Sequence, residues 1–291
     1  MSKLRFWLGL WGGKTFLFLW KLFRAERDDR PGMVSVRLCE DFLSRVAKPK
    51  LTIVVTGTNG KTTISNMLAE TLKKLGYKVA YNDWGANHNA GQARCLLDAV
   101  SIFNKPTKDV AIIEADELIS PTNVPRLKPA YLIVNNVSRD SMLRNGNPEY
   151  IADRLRRAAE GSPESVVVMC GDDPVSSLVG ENNRRVVFGA EYLGTNPMDT
   201  MIDDYAVCLK CGGKPEYSYR NYRNIGEYKC TNCGFKTPHR DYLVKSHNDT
   251  SMTVREKDGT FTYPIPNSAI HNIYNTAAMV SILRDIGEKP E

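Results

Sequence analysis

Residues 56–63 read Thr-Gly-Thr-Asn-Gly-Lys-Thr-Thr, and the residue types in this run suit a phosphate chain. Gly57 and Gly60 let the backbone approach phosphate oxygens without a side-chain clash. Lys61 can reach the outer phosphates, and the Thr62 hydroxyl is suited to Mg²⁺. The spacing, Gly-x-x-Gly-Lys-Thr, is shorter than the common Gly-x4-Gly-Lys-Ser/Thr form. The expected ATP site comprises Thr58, Asn59, Gly60, Lys61, Thr62 and Thr63. The plain alternative is a glycine-rich helix cap with no ligand.

A second cluster follows the apolar run Val110–Ile113: Glu114, Asp116 and Glu117. A carboxylate at the carboxyl end of a neighbouring parallel strand faces the ligand crevice, where it can hold Mg²⁺ directly or through water. Glu114 comes first off the strand and is the expected Mg²⁺ ligand beside Thr62. Asp116 and Glu117 are expected to be solvated or to cap a helix.

The third set is Cys208-x-x-Cys211 and Cys230-x-x-Cys233. Four thiolates at this spacing make a closed tetrahedral Zn²⁺ site with no position left for water. Gly212 and Gly234 permit the tight turns that aim backbone N–H groups at sulfur. Structural zinc is expected; a redox dithiol or a disulfide pair is the weaker reading. Cys39, Cys95 and Cys170 stand alone in apolar contexts and read as buried thiols, so cysteine usage points to the cytoplasm. His239 and His247 read as surface residues; His88 could touch a substrate.

These residues need a scaffold, and the pattern from residue 50 supplies one. Leu51–Val55, Tyr77–Tyr81, Val110–Ile113, Tyr131–Val134, Ser165–Met169 and Arg185–Phe188 read as short apolar strands. Ile64–Leu75, Ala93–Val100, Pro148–Glu160 and Asn267–Ile286 read as helices. Apolar strands alternating with helices predict an α/β fold with a parallel sheet covered on both faces. Residues 200–262 break the rhythm and are expected to form a β-rich zinc-ribbon insertion within an ATP-binding domain at 49–291. Residues 1–48 form an aromatic and basic segment. Within it, 4–23 is rich in Trp, Phe and Leu, but Arg5, Lys14 and Lys21 interrupt it and Gly12-Gly13 should break it. It is expected to pack on the core, with the inner face of the membrane as the alternative.

The chain has 291 residues, 42% hydrophobic and 25% charged, which excludes a disordered protein. Its net charge is +6, a modest excess compatible with anionic partners.

The run Thr56–Thr63 resembles the ATP loop of the Mur ligases and folylpolyglutamate synthases. His271-Asn272-Ile-Tyr-Asn275-Thr-Ala277-Ala278 resembles their His-Asn-x-x-Asn-x-x-Ala-Ala helix. That likeness implies nucleotide contacts by His271, Asn272 and Asn275, with Lys61 and Glu114 in catalytic positions. Asn82–Asn87 and Glu114–Glu117 resemble most the MurT family, the ligase-like subunits of lipid II isoglutaminyl synthase. Ser141 follows Asp140 where the amino-acid-adding Mur ligases usually carry a His, which suits the MurT family better. No lysine matches the carbamylated lysine of some Mur ligases.

The resemblance implies ATP-dependent amidation of the D-glutamate α-carboxylate of lipid II through an acyl phosphate. It implies a GatD-like glutaminase as heterodimer partner supplying ammonia, and no nucleic acid. It also implies a C-terminal domain beyond the His271 helix, which this sequence does not include. An amino-acid-adding ligase of Mur or folyl type is the second reading, and a nucleic-acid-binding ATPase with a zinc ribbon the third.

Overall fold

A computed structural model describes residues 3–22, 28–82, 86–137, 148–194 and 205–290. Part of the Asn82–Asn87 motif, Asp140, Ser141 and the start of the expected insertion lie outside these residues. Three helices open the fold: α1 (Lys3–Leu22), α2 (Arg30–Leu38) and α3 (Phe42–Arg45). The alternating α/β unit follows as β1 (Leu51–Thr56), α4 (Lys61–Lys74), β2 (Val79–Tyr81), α5 (Asn89–Ala99), β3 (Val110–Glu114), α6 (Ser120–Leu127) and β4 (Tyr131–Val134). It continues through α7 (Pro148–Glu160), β5 (Val166–Cys170) and β6 (Arg185–Ala190). Then come β7 (Pro215–Tyr222), β8 (Ile225–Cys230), β9 (Tyr242–His247), β10 (Ser251–Glu256), β11 (Gly259–Pro264) and α8 (Ile270–Asp285).

Nine strands form one sheet in the order β11-β10-β9-β6-β5-β4-β1-β3-β2. From β2 to β9 every neighbouring pair is parallel; β10 and β11 are antiparallel additions. The central strands are apolar on both faces because helices cover both. Val54, Ile113 and Leu132 point into one core layer, with Leu96 of α5 and Leu155 of α7. Ile53, Val55 and Ile112 point into the other, with Leu68 of α4 and Ala277 of α8. One residue along a strand changes the layer, as the two-residue pleat requires.

Two boundaries differ from those expected of the sequence. Gly12-Gly13 does not break α1, which runs through both residues. A Cβ on Gly13 would stand 2.1 Å from the Ser35 hydroxyl of α2. Glycine here lets two helices touch, and the neighbouring turns keep the helix intact. The expected insertion at 200–262 is also too wide. The hairpin β7–β8 forms a sheet of its own, whereas β9 pairs in parallel with β6, Phe188 opposite Tyr242, and carries β10 and β11 with it. The half-polar alternation of β9–β11 reads like ribbon in sequence, yet it belongs to the edge of the main sheet.

The chain leaves β1 toward β3 and β2 on one side and returns to β4 on the other. This reversal opens a crevice at the carboxyl end of β1, the usual ligand position in such sheets.

Candidate functional site

At that crevice β1 ends and the loop 57–60 turns into α4. Gly57 has φ +113° and Gly60 φ +84°, both in the left-handed region. Gly60 has a second constraint: a Cβ there would lie 2.2 Å from Asn275 Oδ1 and 2.6 Å from Asn135 Nδ2. The loop is pinned from behind, the Thr58 N–H donating to the Asn136 carbonyl at 2.6 Å. Helix α4 starts with no side-chain cap and no acidic residue in its first turn. Its first N–H groups and its positive dipole end therefore favour an anion.

Lys61 bends back over the loop. Its ammonium donates to the Gly57 carbonyl, to the Thr58 carbonyl at 3.2 Å and to Glu117 Oε1 at 3.1 Å. Glu117 is thus a buried partner of Lys61, 2% exposed, and not the solvated residue expected of the sequence. Glu114 closes strand β3 at the crevice. Strand β3 runs parallel to β1 with Val55 opposite Glu114, and the Thr62 hydroxyl donates to Glu114 Oε2 at 3.0 Å. Glu114 Oε1 is buried without a hydrogen-bond partner. Burial pushes the Glu114 carboxyl up to about 7, against the opposing Thr62 hydrogen bond and Lys61 charge. Burial likewise raises Glu117, with the Lys61 charge opposing. An orphaned carboxylate oxygen beside a threonine hydroxyl is a donor set that a hard divalent cation would satisfy.

Next to the loop lies a cavity of about 210 Å³, lined by Asn59, Gly60, Thr63, Asn136, His271 and Asn275, with Tyr222, Ile225 and Tyr274. Of the three residues expected from the α8 motif, two reach it. Asn275 accepts from Asn135 Nδ2 at 2.9 Å, and the same amide nitrogen donates to the Asn59 carbonyl at 2.9 Å. Asn135 therefore ties the loop to α8, a role sequence reading missed; its place one residue past β4 was the available signal. Asn272 does not line the cavity and bonds instead to Asn267 at the start of the helix. His88 is mostly exposed and pairs with Asp29 at 3.2 Å. A larger cavity, about 390 Å³, lies at the far end of α8 among Thr71, Leu75, Met279 and Leu283. It contains neither the loop nor the carboxylates.

The residues Tyr222 and Ile225 come from the tip of the β7–β8 hairpin, whose other end carries the cysteines. The four sulfurs lie within 4.8 Å of one another, with Cys208–Cys233 at 3.7 Å and Cys211–Cys230 at 3.6 Å. Both knuckles turn alike: Gly212 N–H donates to the Cys208 carbonyl and Gly234 N–H to the Cys230 carbonyl, each glycine at φ +71°. The Gly213 N–H, followed by the Asn232 amide, favours thiolate at Cys211 and lowers it to about 6. This donor set fits tetrahedral zinc.

The hairpin is fastened to the sheet by Asp172, fully buried just past β5. Its carboxylate accepts from Arg240 Nε at 2.5 Å, Tyr274 OH at 2.7 Å and Ala190 N–H at 2.7 Å. The Asp172 carbonyl accepts from Gly226 N–H of the hairpin at 2.9 Å. Asn221 adds bonds to the Glu191 carbonyl and to Tyr274 OH. Burial raises the Asp172 carboxyl, and the Arg240 charge opposes the rise. No isolated segment announces this network; it joins residues 68 and 102 positions apart.

Residues 55–196 match the Mur ligase middle domain. Over 96% of its length the chain is 32% identical to the MurT subunit of the glutamine-hydrolysing lipid II isoglutaminyl synthase of Streptococcus pneumoniae, covering 62% of that protein. It is 28% identical to the MurT subunit of Staphylococcus aureus strain COL, over 89% of this chain and 58% of that one. The chain thus spans about three fifths of these relatives. Among solved structures, a type C pseudomurein peptide ligase from Methanothermus fervidus aligns at a TM-score of 0.69 and 22% identity, over 86% of this chain and 49% of that one. MurF ligase from Thermotoga maritima, in complex with ADP, aligns at 0.56 and 18%, over 88% and 51%. Both show the same α/β fold.

Proposed function

We propose that this chain is a Mur-ligase-type protein and the ATP-using subunit that amidates lipid II in peptidoglycan biosynthesis. The observation that carries the reading is the convergence of Lys61, Thr62, Glu114 and Glu117 beside the Asn59–Asn275 cavity, in a chain similar to MurT subunits along nearly its whole length. In this reading residues 49–291 are the central ATP-binding domain and the hairpin is inserted in it. The phosphates of ATP lie on the loop 58–63, and the base reaches toward His271, Asn275 and the hairpin tip.

A carboxylate oxygen of the D-glutamate residue attacks the γ-phosphorus of ATP, giving an acyl phosphate and ADP. Ammonia, released from glutamine by a GatD-like partner, attacks the acyl carbon. Phosphate departs, and loss of a proton from nitrogen leaves the carboxamide. Lys61 releases Glu117 to meet the transferring phosphoryl group, where its charge counters the charge that builds on oxygen. Thr62 and Glu114 present the oxygens that would hold Mg²⁺, which would supply electrostatic shielding of the phosphates. Every nucleophile comes from a substrate, so the site requires no activated serine or cysteine. The cysteine quartet holds zinc as a structural centre, giving one zinc per chain that Cys230→Ser loses.

The test combines the protein expressed from its whole gene with a GatD-like glutaminase, glutamine, Mg-ATP and lipid II. Conversion of the D-glutamate carboxyl to a carboxamide, read by mass spectrometry, is expected. Amino-acid addition in its place would establish the ligase reading, and hydrolysis stimulated by nucleic acid would establish the third.

A further inference from the structure

Helix α1 is apolar on two faces. Phe6, Leu10 and Leu17 are buried against the domain, within one core layer. On the opposite side Leu4, Leu8, Trp11, Phe18 and Leu22 are 47–69% exposed. Their positions, i, i+4, i+7, i+14 and i+18, fall on one stripe of a helix with 3.6 residues per turn. The stripe continues onto the loop after α5. Trp11 Nε1 donates to the Ile102 carbonyl at 3.0 Å, and Ile102 and Phe103 are 53% and 71% exposed. Large apolar side chains aligned for the length of a helix, about 30 Å, are not the scattered exposure of an ordinary surface.

The two segments that carry the stripe have charge of one sign. Residues 3–22 and 100–108 contain no Asp or Glu, while Lys3, Arg5 and Lys105 are exposed there. A second copy of the stripe would bring like charges together. An anionic bilayer surface matches both the apolar stripe and its basic margin. No helix among the described residues is long and apolar enough to cross a membrane, and α1 already has one face occupied by protein. The geometry is that of a helix lying in the interface.

We propose that the outer stripe of α1, together with Ile102 and Phe103, seats this protein on an anionic lipid surface. The inference rests on this exposed face and stands independently of the nucleotide reading, although a membrane-borne substrate would give it a purpose.

The experiment is co-sedimentation of the full chain with vesicles rich in phosphatidylglycerol and with vesicles of phosphatidylcholine alone. The double variant Phe18→Asp, Phe103→Ser, altered at two exposed positions, is compared, with ATP affinity measured in parallel. The parent is expected to bind the anionic vesicles, more weakly at high salt, and the variant to bind at least about ten-fold less with ATP affinity unchanged. Absence of parent binding, or equal binding by the variant, overturns the proposal. A parent dimer in gel filtration that the variant dissociates overturns it too, because a second copy then covers the stripe. A protein that binds ATP but not vesicles removes this inference alone; one that binds vesicles but not ATP removes the proposed function alone.

Discussion

The loop 57–63 and the hairpin tip 222–225 face each other across one cavity, and they are made in opposite ways. The loop is local. Two left-handed glycines, a lysine and a helix N-terminus follow each other in the chain, so its geometry is written in adjacent residues. The tip is held from a distance. Its place depends on Asp172, Arg240 and Tyr274, a buried charged network that only the assembled sheet brings together. A ligand gripped by both would use the loop for charge and the tip for shape.

This contrast can be broken at either side. Lys61→Ala removes the ammonium and leaves Glu117 buried without its partner, so it carries the largest expected effect. Calorimetry should show ATP affinity falling about 100-fold or more, or ~3 kcal/mol, and tripolyphosphate binding lost with it. A variant that keeps ATP affinity would remove the loop from the site. Tyr222→Ala should cost less, about ten-fold in ATP affinity from the loss of one aromatic wall. Tripolyphosphate binding should be unchanged, because it has no base to meet the tip. Equal losses for both ligands would mean that the tip acts only by propping up the loop.

Legibility followed the same division. The loop, the strand carrying Glu114 and the helix carrying Asn275 were readable, because each is a short run with its own periodicity. Glu117 was misread because nothing in the order Glu-Ala-Asp-Glu reveals that the chain folds back to bury its last member against Lys61. Asn272 and Asn275 are equally polar in sequence; helical phase turns one into the cavity and the other toward Asn267. The sheet edge β9–β11 is indistinguishable from ribbon in sequence because half-buried strands alternate in polarity wherever they sit. The cysteine spacing was plain, but not that its hairpin reaches the cavity beside the loop, since that contact depends on Asp172.

Hydrogen exchange of backbone amides, followed by mass spectrometry with and without Mg-ATP, tests the shared cavity most directly. The account predicts slowed exchange in two separate segments on adding the nucleotide, residues 57–64 and residues 219–226. Protection of the loop with none at the hairpin would contradict it, as would protection centred on the larger cavity at the far end of α8.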